Sequence, residues 1–196
     1  MAAQPTAVHE KSDEELIADF QNGDEAAFTL LVGRYKVQLI NFVYRYIGDT
    51  DEADDIVQEV FVRVYYKKNT YKPIAKFSTW IYTITSNLCK TELRRRGRHF
   101  FFSLSKGRGG SSEKQPDLPD YRYLSDHEAE RSSDHQVIQN ALNTLPSKFR
   151  EIIILSDIQD MSYEEISEIT GLNIGTVKSR LNRGRIKLQK LLKDLI

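Results

Sequence analysis

Between Met161 and Arg185 the chain spells out two helices and the turn between them, which commits its C-terminal part to a helical fold. Ser162 with Glu165 three residues on is a reciprocal capping pattern: hydroxyl and carboxylate each satisfy a free N–H of the first turn, so a helix is expected from Tyr163. Ile166 and Ile169 give that helix an apolar side, and Gly171 suits the left-handed residue that closes it. Asn173 can cap a second helix, whose Val177, Leu181 and Leu188 fall near helical spacing. From Thr176 to Lys193 every charged side chain is basic: Lys178, Arg180, Arg183, Arg185, Lys187, Lys190 and Lys193.

A capped helix, a glycine turn and a second helix of one charge sign make the pattern of a helix-turn-helix, whose second helix lies in a DNA major groove. An ordinary helical hairpin with a solvated basic face would carry the same charges. The short residues Gly175, Thr176 and Ser179 favour DNA reading, because they leave the helix start open to phosphates and base edges.

The N-terminal half reads as four helices. Ser12-Asp13-Glu14-Glu15 opens the first, which runs to about Gln21, and Asp24 can cap the next. Phe28, Leu31, Val32, Tyr35, Leu39, Phe42, Val43 and Tyr46 then recur at three and four residues up to Gly48. A third helix from near Asp51 has Ala53, Ile56, Val57, Val60, Phe61 and Val64 inside, and Asp51, Asp54, Asp55, Gln58 and Glu59 on or beside the other face. Carboxylates at a helix start are favoured by its dipole. Capping uses one or two of them, however, and Gln58 and Glu59 lie two turns in, so a protein-binding face is the competing reading. Pro73 breaks the pattern within a basic loop, and a fourth helix is expected from about Phe77 to Arg96. Trp80, Ile81, Ile84 and Leu88 stripe it, and Arg94, Arg95 and Arg96 end it. Aromatics interleaved with cations suit single-stranded nucleic acid, although rings at helical spacing also pack inward, which leaves a core role open for Phe77 and Trp80.

Residues 103–120 are rich in Ser, Gly, Lys and Pro, a linker composition, and helical periodicity returns from about Asp134. The fold class expected is all-α: a helical domain over 12–99, a flexible linker over 100–133 and a second helical domain over 134–196. The chain has 28 basic and 28 acidic residues. Zero net charge is unusual for a free-standing DNA binder, but the charges are segregated, which points to nucleic acid for the basic stretches and a basic protein surface for the acidic ones. Cys89 is the only cysteine, and the four histidines lack metal-ligand spacing, so neither a metal nor a cofactor is expected. No nucleophile–base constellation supports an enzyme. Without a long apolar run or signal peptide, the expected location is the cytoplasm.

Three segments together resemble one family. Asp55-Ile56-Val57-Gln58-Glu59-Val60-Phe61, then Phe77-Ser78-Thr79-Trp80-Ile81-Tyr82, then Tyr163-Glu164-Glu165-Ile166 with Gly175-Thr176-Val177-Lys178-Ser179-Arg180-Leu181 are similar in order and spacing to bacterial extracytoplasmic-function sigma factors of the sigma-70 family. The resemblance implies a transcription initiation factor, in a group tied to stress responses and usually held inactive by an anti-sigma factor. It implies that Asp54, Asp55, Gln58 and Glu59 meet the β′ clamp helices of core RNA polymerase, with the β flap a further contact. It implies −10 promoter contacts, with an unstacked base captured, around the loop at about Asn69–Lys76 and the helix after it. The residues concerned are Tyr71, Lys72, Phe77, Trp80, Asn87, Arg94 and Arg95. It implies −35 recognition as duplex by Arg180 and Arg183, with Thr176, Lys178, Ser179 and Arg185 positioning the helix. The glycine-rich basic stretch of the linker matches no motif.

Two other classes compete: a repressor or activator with an N-terminal regulatory domain, and an adaptor whose basic helix binds an acidic partner. The acidic helix around Asp55 and the aromatic–basic helix after Phe77 discriminate, since a ligand-sensing domain gives no reason for either.

Overall fold

Side-chain caps start most of the helices where the sequence places them. The computed structural model describes residues 11–105 and 126–195, with side-chain surroundings for 11–98 and 135–193. Helix α1 (Asp13–Gln21) starts at Ser12, whose hydroxyl accepts from the Glu15 N–H while the Glu15 carboxylate accepts from the Ser12 N–H. Asp24 caps α2 (Glu25–Ile47), which Gly48 closes with a φ of 82°. Asp49 caps α3 (Thr50–Lys67) by accepting from the Glu52 N–H, and a short 3₁₀ turn, Lys68–Thr70, follows. At the start of helix α4 (Phe77–Ser105) the α1 carboxylate of Glu14 accepts from the Phe77 N–H at 3.0 Å.

After α5 (Asp126–Thr144), Pro146 forces a break and α6 (Ser147–Ile153) begins, running on into a π turn over Ile154–Ile158. The expected helix pair follows as α7 (Tyr163–Thr170) and α8 (Ile174–Leu195). Ser162 and Glu165 form the reciprocal cap, Gly171 takes φ 69°, and the Asn173 side chain accepts from the Thr176 N–H at 2.8 Å. No strand occurs among the described residues.

The linker expectation changes at its ends. Helix α4 continues past Arg96 to Ser105 and α5 starts at Asp126, so helix enters the 100–133 stretch from both sides. A lone Gly97 costs an exposed helix only about 1 kcal/mol relative to alanine, too little to stop it without a proline or cap. Residues 106–125, with the glycine-rich stretch, lie outside the described residues.

Helices α1 to α4 pack around aromatic contacts. Phe20 stacks on Phe28 with centroids 4.7 Å apart, Tyr35 meets Phe77 edge-on at 5.4 Å, and Phe42 meets Tyr82 edge-on at 5.3 Å. In the C-terminal half α8 lies against α6 at Gly184, where a Cβ would come within 2.9 Å of the Ile153 side chain. Gly184→Val is expected to push α8 off α6 and lower the unfolding midpoint of this half, by an overpacking cost of about 1–3 kcal/mol; thermal unfolding of the variant checks it.

The halves are docked. One buried apolar cluster runs from α1–α4 into α6–α8. Around it, polar groups cross the junction. Arg150 of α6, 8% exposed, donates to the Tyr46 carbonyl at 2.7 Å, and the buried Gln139 amide donates to the carbonyls of Tyr44 and Arg45. These are C-terminal carbonyls of α2, the kind an isolated helix leaves without partners. Glu151, 5% exposed, accepts from Ser86 and pairs with Lys90 at 2.8 Å. Tyr82 donates to Gln159, and Lys76 pairs with Glu165 at 2.9 Å.

Candidate protein and nucleic-acid interfaces

The acidic residues of α3 stand in the open. Asp54, Asp55, Gln58 and Glu59 are all exposed, and Glu59 meets Arg63 one turn on at 2.8 Å. Asp54 and Gln58 border a groove of about 520 Å³ between α2 and α3, lined also by Phe28, Val57, Phe61 and Val62. At its end Tyr66 is 81% exposed. An apolar groove with an acidic edge suits a helical partner that presents apolar side chains flanked by cations. The periodicity of α3 identified the acidic face. The groove needed α2 beside it, so Val62 and Tyr66 had no signal in the sequence beyond being apolar at outward positions.

The loop after α3 is held from α1. The Gln21 amide donates to the carbonyls of Lys68 (2.7 Å) and Tyr71 (3.2 Å), and the Lys68 ammonium donates to the Phe20 carbonyl at 2.6 Å. This turns Tyr71 inward. Its ring, 6% exposed, packs 5.8 Å from Phe77 and 5.5 Å from Trp80, and its hydroxyl donates to the Ala75 carbonyl. Phe77 is fully buried. Tyr71 and Phe77, placed among the −10 contacts by the family resemblance, are packed in the core of this structure: rings at that spacing bury more apolar surface inside than a loop could use outside. Lys72 remains exposed, and beside it Ile74 is 89% exposed at the loop tip, a residue the sequence reading passed over.

Helix α4 carries the other candidates. Trp80 is half-buried, while Asn87 and Arg94 are exposed. Seven-residue intervals put all three on one face. Arg95 is occupied differently, with two hydrogen bonds to Glu92 at 2.7 Å.

On α8, Lys178, Ser179 and Arg183 are exposed, with the Lys178 ammonium 5.6 Å from the Tyr163 ring centre. Thr176 sits in the first turn, held by the Asn173 cap. Arg180 is half-buried and turns toward α4, lining a cavity of about 470 Å³ with Lys90, Arg94, Lys148 and Glu151. Arg185 holds Asp157 of the π turn through both guanidinium edges, Nε to Oδ2 at 3.1 Å, so its first role is to fasten α8 to its own domain. Nothing local predicts that pairing, since the partners are 28 residues apart.

Among the described residues no group of three or more His, Cys, Asp or Glu side chains could hold a metal, and no helix is long and apolar enough to cross a membrane. Cys89 is fully buried and burial pushes its thiol well up, which leaves it protonated and unreactive.

The family profiles for sigma-70 region 2 and sigma-70 region 4 match residues 31–99 and 135–188, the stretches holding the α3–α4 faces and the helix-turn-helix. The chain is 34% identical over 180 residues to the ECF RNA polymerase sigma factor SigW of Bacillus subtilis, covering 91% of this chain and 96% of that one. It is 30% identical over 191 residues to the ECF RNA polymerase sigma-E factor of Escherichia coli, covering 94% and 96%. Among solved structures it is similar to the sigma factor RpoE of Bartonella quintana in complex with the anti-sigma factor NepR, with a TM-score of 0.66, 31% identity and coverage of 85% and 96%. It is also similar to CnrH in complex with the cytosolic domain of CnrY, with a TM-score of 0.68, 26% identity and coverage of 94% and 99%. The α3 and α4 faces and the helix-turn-helix thus fall within the two matched regions, and the chain belongs to the extracytoplasmic-function sigma factors of the sigma-70 family.

Proposed function

We propose that the chain, an initiation factor that directs core RNA polymerase to promoters, divides that work among three surfaces. The α3 face of Asp54, Asp55, Gln58 and Glu59, with the apolar groove beside it, takes the polymerase clamp helices. The loop tip at Lys72 and Ile74, with Trp80, Asn87 and Arg94 along α4, takes the opened −10 strand. An extruded base costs a few kcal/mol of stacking, and a loop already pinned by Gln21 and Lys68 spends no further ordering entropy to receive it. Helix α8 reads the −35 duplex through Lys178, Ser179 and Arg183 on its exposed side and through the half-buried Arg180, with Arg185 acting through the Asp157 pair that sets the helix angle. It works in the cytoplasm, where core polymerase is, and is open to control by an anti-sigma factor covering these faces.

The observation that carries this reading is that one chain exposes Asp54, Asp55, Gln58 and Glu59 on α3, Lys72, Asn87 and Arg94 at the loop and α4, and Lys178, Ser179 and Arg183 on α8. Core polymerase plus this protein should start RNA at specific sites in a run-off assay across a promoter library, and absence of specific starts sinks the reading. Arg180→Ala is expected to relax discrimination at one −35 position, about 1–3 kcal/mol for a lost base contact. Equal weakening on every −35 sequence would instead make Arg180 a phosphate contact.

A further inference from the structure

Helix α1 holds both ends of the loop between α3 and α4. At the near end the Gln21 amide nitrogen donates to the carbonyls of Lys68 at 2.7 Å and Tyr71 at 3.2 Å. A primary amide carries two hydrogens on that nitrogen, and both are spent on this one loop. The lock is mutual. The Lys68 ammonium reaches back to the Phe20 carbonyl at 2.6 Å and lies 4.1 Å from the centre of the Phe20 ring. That carbonyl belongs to the last turn of α1, the end of a helix that favours a cation. At the far end the Glu14 carboxylate accepts from the Phe77 N–H at 3.0 Å.

Between these anchors the loop closes on itself. The Tyr71 hydroxyl donates to the Ala75 carbonyl at 2.9 Å, which draws the two sides of the tip together and leaves Lys72, Pro73 and Ile74 exposed. The tip's own backbone bond is local, from the Ile74 N–H to the Lys72 carbonyl at 2.7 Å. It fixes the shape of the tip but not where the tip stands relative to α4. Packing of the Tyr71 ring on Phe77 and Trp80 buries the base of the loop, yet apolar contact has no direction. Direction comes from hydrogen bonds: Gln21 at Tyr71, one residue before the tip, and Glu14 at Phe77, the first residue of α4.

We infer that Gln21 and Glu14 are positioning residues for −10 reading: from α1 they fix the angle at which the Lys72–Ile74 tip meets the α4 face, and so decide which base the tip accepts. The inference rests on the assignment of that loop and face to the −10 strand. A site that selects one base must be held to within about 0.5 Å of its working geometry. Neither residue is suited to touch the strand directly. The Gln21 donors are already used, and the Glu14 carboxylate has the wrong charge for a phosphate.

The test uses the full chain with core polymerase on two promoter libraries, with the RNA starts sequenced. One library is randomised over the −10 element behind a fixed −35, and the other is the reverse. Gln21→Leu keeps the size of the side chain and removes both donor hydrogens. Glu14→Ala removes the acceptor, and Glu14→Gln restores one in neutral form. In Gln21→Leu and Glu14→Ala, preference at one or two −10 positions should fall by about fivefold, the scale of one base contact. Core pull-down and −35 preference should match the parent, and Glu14→Gln should keep the parent's −10 profile. A uniform loss across every −10 sequence, or an unchanged −10 profile, overturns the role of the residue substituted. A Glu14→Gln profile like that of Glu14→Ala overturns the hydrogen bond as the cause. If circular dichroism shows Gln21→Leu unfolded, the Glu14 pair decides by the same criteria. Lys72→Ala and Ile74→Ala in the same assay separate the two readings. Altered −10 profiles there, with parental profiles in the α1 variants, overturn the positioning role alone. Parental profiles in both tip variants overturn the loop assignment beneath it.

Discussion

Reversing Asp55 and Glu59 to lysine is expected to remove co-purification with core RNA polymerase while leaving the fold intact. Both side chains are exposed, and among the described residues Glu59 pairs with Arg63 on the surface. Exposed pairs of that kind contribute about 0–1 kcal/mol, so the unfolding midpoint should barely move. The effect at the interface is far larger, because the substitution sets like charges against a partner surface selected for the opposite sign. Such juxtaposition costs several kcal/mol, which at 1.4 kcal/mol per tenfold means a loss of about 100-fold or more in affinity. Pull-down with tagged core and a competition assay against the parent chain measure it. The groove adds a second, independent expectation: Tyr66→Ala should weaken core binding without changing net charge, through lost apolar contact alone. Undiminished core binding in the charge-reversed chain would show that the acidic face serves only to cap and solubilise α3.

Phe77→Ala is expected to have the largest effect on stability of any substitution in the −10 segment. The ring is fully buried and packs against Tyr35, Tyr71 and Trp80 with centroids 5.4, 5.8 and 5.8 Å away. Truncating a buried phenylalanine costs about 3–5 kcal/mol in transfer and cavity terms. The midpoint of the N-terminal half should fall on the order of 10 °C or more. Phe77→Leu, which keeps most of the volume, should recover much of the loss. Chemical denaturation followed by tryptophan fluorescence reports on this site directly, since Trp80 is the only tryptophan and touches the mutated ring. A Phe77→Ala chain that unfolds like the parent but loses −10 binding would return the ring to the DNA. Lys72 and Ile74 should behave in the opposite way, with substitution leaving stability alone and changing −10 selectivity.

The contrast between Phe77 and Asp55 shows where sequence reading worked. Caps and helix ends are written within three or four residues, so Ser12 with Glu15, Asp24, Gly48, Ser162 with Glu165, and Gly171 with Asn173 all stand where local chemistry puts them. The acidic face of α3 was legible because helical periodicity leaves it opposite the buried Val57, Val60 and Val64. Tyr71 was not. Whether a loop aromatic faces water or core depends on how the loop is held, and here the Gln21 amide that holds it lies 50 residues back in the chain. The end of α4 at Ser105, beyond Gly97, is not legible for a different reason: one glycine is too weak a breaker to overrule a helix already propagating.

The sequence alone determined the helices, their caps, the order of the acidic, aromatic–basic and basic segments, and through these the family. Each of those signals is local or periodic, and a helix forms its period before anything packs on it. Only the tertiary structure decided which charged residues are free to bind. Arg185 is committed to Asp157, Arg95 to Glu92, and Arg150 to the end of α2, whereas Lys178 and Arg183 on the same basic helix stand exposed. Charge type is a property of the residue, but availability is a property of what lies within about 4 Å of it. For Arg150 and Glu151 that neighbourhood is the other half of the molecule.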